Sequence, residues 1–303
     1  MTELSMKIRF WGTRGSVPTP GKETVRYGGN TPCVEVRLAN DELIIIDAGT
    51  GIRSLGDYLI GKGGQVKAHI LISHPHWDHI QGFPFFKPAF VAGTELTIIG
   101  SETNNAPLNR WISDQMNSTY FPVRIDEMKA KISFRPIKEE TLTILGASVS
   151  SLYVNHPAFA LGFRLDYKGQ TFVYVSDNEP FDPELRESSK NVDNRIVEKY
   201  RAAKGDPNER VYEFARGADI LIHDSTYTPE EYASHIGWGH SHYFFALQVA
   251  RRAGVKKLVL FHHDPSHSDD DLDAMLDHCH REMSKQGDTF TCVAATEGLE
   301  IKP

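Results

Sequence analysis

The chain has 303 residues, 40% of them hydrophobic and 24% charged, which is enough apolar material for a sizeable buried core. Acidic residues outnumber basic ones 40 to 33, a formal net charge of −7, and this argues against a large nucleic-acid partner, since such binders carry a basic face. No apolar run approaches the ~20 residues of a membrane span, and Met1 to Lys7 carries no export signal, so no membrane partner is expected and the cytoplasm is the expected compartment.

The first third reads as strands, at Lys7–Trp11, Cys33–Leu38, Leu43–Asp47, His69–Ser73 and Leu96–Ile99, with polar or glycine-rich turns such as Gly12–Gly15 and Gly49–Gly51 between them. A second strand group follows at Leu142–Leu145, Ser148–Val154, Leu161–Tyr167 and Thr171–Ser176, the last two joined as a hairpin through Lys168-Gly169-Gln170. The period then changes. Helices are predicted at Asn191–Ala203, Glu209–Arg216, His242–Ala253 (closed by Gly254) and Asp269–Lys285, with buried strands at Asp219–His223 and Lys257–Phe261. Strand blocks with helices after each half predict two sheets packed face to face with helices outside, an α/β (α+β) chain. No linker divides it, so 1–303 is read as a single domain, with a helical insertion at 178–215 whose alternating charges suit a solvated face, a lid or a dimer contact. Cys33, Cys279 and Cys292 are odd in number and widely spaced, which excludes a disulfide framework, and Cys279 falls on the apolar stripe of the last helix.

The chemistry gathers at His74-Pro75-His76-Trp77-Asp78-His79, directly after an apolar strand. Neutral imidazole and carboxylate are the ligands that borderline divalent ions prefer. His74 and His76 can converge on one ion while Asp78 and His79 point to a neighbour. His156, Asp177 and His262 each follow an apolar strand and supply further donors, and a carboxylate such as Asp177 can bridge two cations. Trp77, Phe83, Phe85 and Phe86 surround this loop; most are expected in the core, with one or two available as a stacking platform for a base.

The set His74-x-His76-x-Asp78-His79, His156, Asp177 and His262 resembles the five-motif ligand pattern of the metallo-β-lactamase superfamily, and the match runs through nearly the whole chain. That resemblance implies a four-layer αββα sandwich and two divalent metal ions, zinc as first choice with manganese or iron open. One ion would take His74, His76 and His156, the other Asp78, His79 and His262, with Asp177 between them. His263 competes with His262; neighbours on a strand point opposite ways, and the spacing to the next motif favours His262.

The pairing of Gly239-His240-Ser241 with His223-Asp224-Ser225-Thr226-Tyr227 is similar to the tRNase Z and phosphodiesterase branch, with Asp224 where tRNase Z usually has glutamate. It implies catalytic roles for Asp78, His240 and Asp224. Asp78 would orient or deprotonate a metal-activated water, and His240, oriented by Asp224, would donate to phosphate or leaving group. Without the likeness, a His-Ser before a helix is equally an N-cap. By the same resemblance Asp47 would buttress the metal loop, and Arg14 is either a phosphate contact or a surface arginine.

No Gly/Pro-rich tRNA-gripping arm is found, and with the acidic balance this makes a small phosphodiester the expected substrate, in particular a cyclic nucleotide. The alternatives are a tRNA 3′-processing endoribonuclease of tRNase Z type, a thioesterase or lactonase of glyoxalase type, and a non-catalytic metal-bound sensor. A homodimer is an expectation of the resemblance.

Overall fold

The structure, a computed structural model, describes residues 5–102, 107–181 and 206–303. The predicted helix Asn191–Ala203, and with it the reading of the insertion as lid or dimer contact, lies outside the described residues.

Fourteen strands among the described residues form two seven-stranded sheets. The first holds β1 (Lys7–Gly12), β2 (Cys33–Arg37), β3 (Leu43–Ile46), β4 (Lys67–Ile72), β5 (Glu95–Ser101), β6 (Lys131–Ile137) and β14 (Glu300–Ile301), in the order β14-β1-β2-β3-β4-β5-β6. The second holds β7 (Thr141–Ile144), β8 (Ala147–Tyr153), β9 (Leu161–Tyr167), β10 (Gln170–Val175), β11 (Ile220–Asp224), β12 (Lys257–Phe261) and β13 (Thr291–Ala294), in the order β13-β12-β11-β10-β9-β8-β7. Each sheet is part antiparallel and part parallel: β3 to β6 run parallel in the first, β10 to β13 in the second. This is the expected mixed α+β sandwich.

Strand alternation explains the layers. In β3 the side chains of Ile44 and Ile46 enter the inter-sheet core, where they join Phe10, Phe163, Tyr174 and Phe261. Leu43 and Ile45 on the opposite face pack under α1 (Gly51–Gly61) with Ile52, Leu55 and Leu59. The other outer face, with Val173, Leu221 and Leu258, is covered by α6 (Tyr243–Ala253) and α7 (Asp269–Gln286), and Cys279 lies in that layer as the apolar stripe predicts. A strand buried on both faces reads as a continuous apolar run, which is why β3, β11 and β12 were legible.

Shorter helices among the described residues are α2 (Trp77–Ile80), α3 (Leu108–Ser113), α4 (Glu209–Ala215) and α5 (Pro229–Tyr232). The hairpin between β9 and β10 turns on Lys168 and Gly169, both at positive φ, so Gln170 is already in the strand. Gly254 closes α6 in the left-handed conformation. The sequence reading missed β6, an edge strand with one exposed face that tolerates Pro136, and it took the start of α1 only as a glycine turn.

A candidate dinuclear metal centre

The site forms where the parallel strands end. Asp47 follows β3, His74 lies just beyond β4, Asp177 beyond β10, Asp224 ends β11 and His262 follows β12. Carboxyl ends of parallel strands are where open α/β sheets build their sites. Three of these residues, Asp47 (φ 61°), Asp177 (φ 34°) and His262 (φ 61°), occupy left-handed backbone conformations that disfavour non-glycine residues. Each turns the chain sharply at a strand tip, which points its side chain along the cleft between the sheets. Such strain is held where surrounding structure over-determines it.

The seven expected ligands come together in two overlapping groups. His74, His76, His156 and Asp177 offer donor atoms within 4.8 Å of one another, and so do Asp78, His79, Asp177 and His262. Asp177 belongs to both, with Oδ2 3.5 Å from His74 Nε2 and Oδ1 3.2 Å from His79 Nε2. His262 Nε2 is 3.2 Å from Asp78 Oδ2. His263 faces away: its Nε2 donates to the Ala295 carbonyl at 2.9 Å.

Whether these residues suit cations can be tested on their unsatisfied atoms. His74 Nε2 and His79 Nε2 are buried and make no hydrogen bond, although carboxylate oxygens lie 3.2 to 3.5 Å away. Buried polar nitrogens are rarely left so. Imidazole nitrogens and carboxylate oxygens gathered this closely without hydrogen bonds between them are what a bound cation would satisfy. The donor set therefore fits divalent metal.

The far ring nitrogens are tied down, which fixes which nitrogen faces inward. His79 Nδ1 donates to Asp47 Oδ2 at 2.8 Å, and that carboxylate also receives the Ser73 and Tyr174 hydroxyls at 2.9 and 2.7 Å. Asp47 thus props His79 as expected, with Tyr174 as an unforeseen supporter. His156 Nδ1 donates to the Gly239 carbonyl at 2.9 Å, and a side chain on Gly239 would collide with that imidazole. His262 Nδ1 meets Thr226 Oγ1 at 3.1 Å. At the mouth, a Cβ on Gly15 would lie 2.3 Å from His262, so only glycine lets this loop pass, and the next residue, Ser16, donates its N–H to Asp78 Oδ2 at 2.8 Å.

Burial, then the repulsion of His79 and neighbouring imidazoles, pushes His74 well below the usual histidine range, and burial holds His156 down at about 3. Both are neutral and ready to ligate. Burial opposes charge on His79 too, but Asp78, Asp177 and Asp47 override it and hold its pKa well above normal, so before metal binds His79 keeps a proton that a cation must displace. Asp78 and Asp177 stay ionised despite burial because the imidazoles face them.

Beside the second group stands His240, with Nδ1 3.0 Å from Asp224 Oδ2. Burial disfavours its charge, yet Asp224 raises its pKa to about 9. Asp224 is fully buried and also accepts from Asn178 N and from the Thr226 amide and hydroxyl. Its oxygens are saturated: Asp224 binds His240 directly and reaches His262 only through the Thr226 hydroxyl, so the three are a relay and not a third ion site. The N-cap alternative for His240 does not hold, because His242 occupies that position.

The reading of Arg14 is corrected, and the aromatics of the metal loop divide two and two. Arg14 neither meets a phosphate nor lies at the surface: it is fully buried and donates to the carbonyls of Gly28, Asp264 and His267. Phe83 and Phe86 are core residues, whereas Trp77 and Phe85 are exposed.

One organiser was missed altogether. Glu179 is buried, and its carboxylate accepts from Gly237 N at 2.6 Å, Gly239 N at 3.1 Å and the Tyr232 hydroxyl at 3.1 Å. It holds the loop that carries His240 and the carbonyl that orients His156. Glu179→Gln places an amide N–H against backbone donors, which costs roughly 1–3 kcal/mol per unmatched group. Turnover is expected to fall about tenfold with a lowered Tm, measured by steady-state kinetics and thermal unfolding; unchanged values for both would remove Glu179 from this role.

The Beta-lactamase superfamily domain profile matches residues 43–205. The chain belongs to this family. Within the superfamily it is a metal-dependent hydrolase. Among relatives, the ribonuclease Z of Thermoplasma acidophilum is 26% identical over 301 residues, covering 88% of each chain. Two solved structures share the fold: the metallo-beta-lactamase fold protein YhfI from Bacillus subtilis (TM-score 0.67, 17% identity, 99% of this chain and 100% of that one) and human tRNase Z, short form (TM-score 0.61, 18% identity, 97% and 98%).

Proposed function

We propose that this chain is an endoribonuclease that hydrolyses a phosphodiester of RNA, precursor tRNA foremost, at a centre of two divalent cations. The observation that carries the reading is the Asp224–His240 pair at the open side of the ligand cluster, which acyl hydrolysis would leave without a task. The ribonuclease Z relative, matched along 88% of both chains, supports RNA as the substrate. The cyclic nucleotide expected from charge has no support in the relatives.

Whole-chain charge is a poor guide to this cleft for a physical reason. Net charge averages over the whole surface, whereas Asp47, Asp78, Asp177 and Asp224 are buried around the site. Two divalent cations would offset all four, and His240, held protonated beside Asp224, adds a positive charge that a phosphate would meet.

The seven donors, His74, His76, Asp78, His79, His156, Asp177 and His262, would hold the ions, a mixed nitrogen and oxygen set that suits zinc and equally admits manganese or iron. Bound there, such a pair lowers the pKa of water toward about 7 and offsets charge on phosphate oxygens. The protein's own groups do the rest. Asp78, fixed by the Ser16 N–H and kept ionised, orients the nucleophile or takes its proton. His240, kept protonated by Asp224, donates to the leaving oxygen.

The test is turnover of the metal-loaded protein on precursor tRNA beside 2′,3′- and 3′,5′-cyclic nucleotides. Site-specific cleavage of the tRNA with little action on the cyclic compounds is expected. Efficient opening of a cyclic nucleotide with the tRNA intact would overturn the substrate assignment and leave the hydrolytic centre standing.

A further inference from the structure

The α2 turn has two sides. Asp78 and His79 are buried against the cluster, whereas Trp77, between the ligands His76 and Asp78, is 77% exposed. Only Tyr120, at 81%, is more exposed among the large hydrophobic side chains of the described residues. These two aromatics face one cavity of about 580 Å³, whose wall also includes Pro75, Ile80 and Trp111. Pro75 and Trp77 flank His76 in the chain, so the cavity and the metal loop share a wall.

Its size is that of a small-ligand site, and its surfaces are prepared. Trp111 and Ile80 are buried and fixed. Tyr120 is exposed but its backbone is not loose: Tyr120 N and Phe121 N both donate to the Asn117 carbonyl, and Phe121 packs edge-on against Phe85 at 5.4 Å. The rim is polar, with Arg110 paired to the Asp114 carboxylate at 3.0 Å. Flat apolar faces with a donor and acceptor at the edge match a nucleobase, which has a π-face on either side and polar groups around its perimeter. Among the described residues this indole is 77% exposed, and with Tyr120 it forms an apolar surface of the kind that marks a binding site.

We infer that this cavity is a base-binding subsite, in which Trp77 and Tyr120 receive the nucleobase adjoining the phosphate presented to the metal centre. The assignment rests on the RNA reading for the identity of its occupant, and on the cavity itself for its place. Trp77 is then a specificity-determining residue: it rewards a phosphodiester that carries a base over one that does not.

The experiment is a calorimetric titration of the zinc-loaded protein with AMP, UMP and ribose 5-phosphate, which share a phosphate and differ in the base. In wild type the nucleotides are expected to bind about tenfold or more tighter than ribose 5-phosphate. Trp77→Leu and Tyr120→Leu should each erode that preference, and Trp77→Phe should keep part of it. Zinc content equal to wild type shows that the neighbouring ligands remain in place. Equal binding of nucleotide and ribose 5-phosphate in wild type would overturn the subsite, as would a full preference surviving in Trp77→Leu and Tyr120→Leu. Failure of the RNA reading would look different: nucleotides would still outbind ribose 5-phosphate through Trp77 while precursor tRNA stayed uncut.

Discussion

Asp177→Ala is expected to lower turnover by roughly a thousandfold or more and to reduce the metal content of the purified protein. Asp177 alone serves both ligand groups, so its loss removes a donor from each ion at once. It also leaves His74, His79 and His262 around a buried site with less negative charge to hold cations there. Metal stabilisation of a phosphoryl displacement is worth several kcal/mol, and each 1.36 kcal/mol of barrier is about tenfold in rate. Removal of metal by a chelator should match this loss, and re-addition of zinc or manganese should restore it and rank the ions. Elemental analysis and steady-state rates measure both sides. An Asp177→Ala protein that keeps two ions per chain and wild-type turnover would refute the centre described here.

How far the sequence could be read follows from the same geometry. His74-Pro75-His76-Trp77-Asp78-His79 is legible because four of the donors lie in one turn at the end of a strand, where local spacing alone brings them close. His156, Asp177 and His262 are far apart in the chain but share one local signal, an apolar strand ending in a polar residue, and a buried strand is among the clearest patterns a sequence carries. What stayed hidden depends on contacts between distant segments. Tyr174 reads as one more aromatic of β10, and only the packing of the two sheets brings its hydroxyl to Asp47. Glu179 reads as an ordinary acid after a strand, because the Gly237 and Gly239 amides that it holds come from a loop far downstream. Arg14 was misjudged for the same reason, since the carbonyls of Asp264 and His267 that bury it are supplied from near the other end of the chain. The substrate rests on a different kind of signal, since a whole-chain charge cannot report the sign of the field in one cleft.

The second large effect concerns the proton on His240. His240→Ala removes the donor to the leaving oxygen, and general-acid groups contribute typically 10²- to 10⁴-fold; a loss of about a hundredfold or more in kcat is expected, with KM little changed and both ions retained. Asp224→Asn should act through His240 and be visible as a pH effect. With Asp224 ionised, the raised pKa of about 9 keeps His240 charged at neutral pH, and protonation falls as pH rises through that value, so activity declines on the alkaline side. Cations bound beside Asp177, itself 3.8 Å from His240 Nδ1, would pull the same pKa downward, which would place the alkaline limb at or below about 9. Without the Asp224 charge, burial is the largest remaining influence and favours the neutral ring, so the limb moves to lower pH and activity near pH 8 falls more than at pH 6. If Asp224→Asn lowers the rate by one factor at every pH, then Asp224 merely shapes the loop and His240 is not the proton donor.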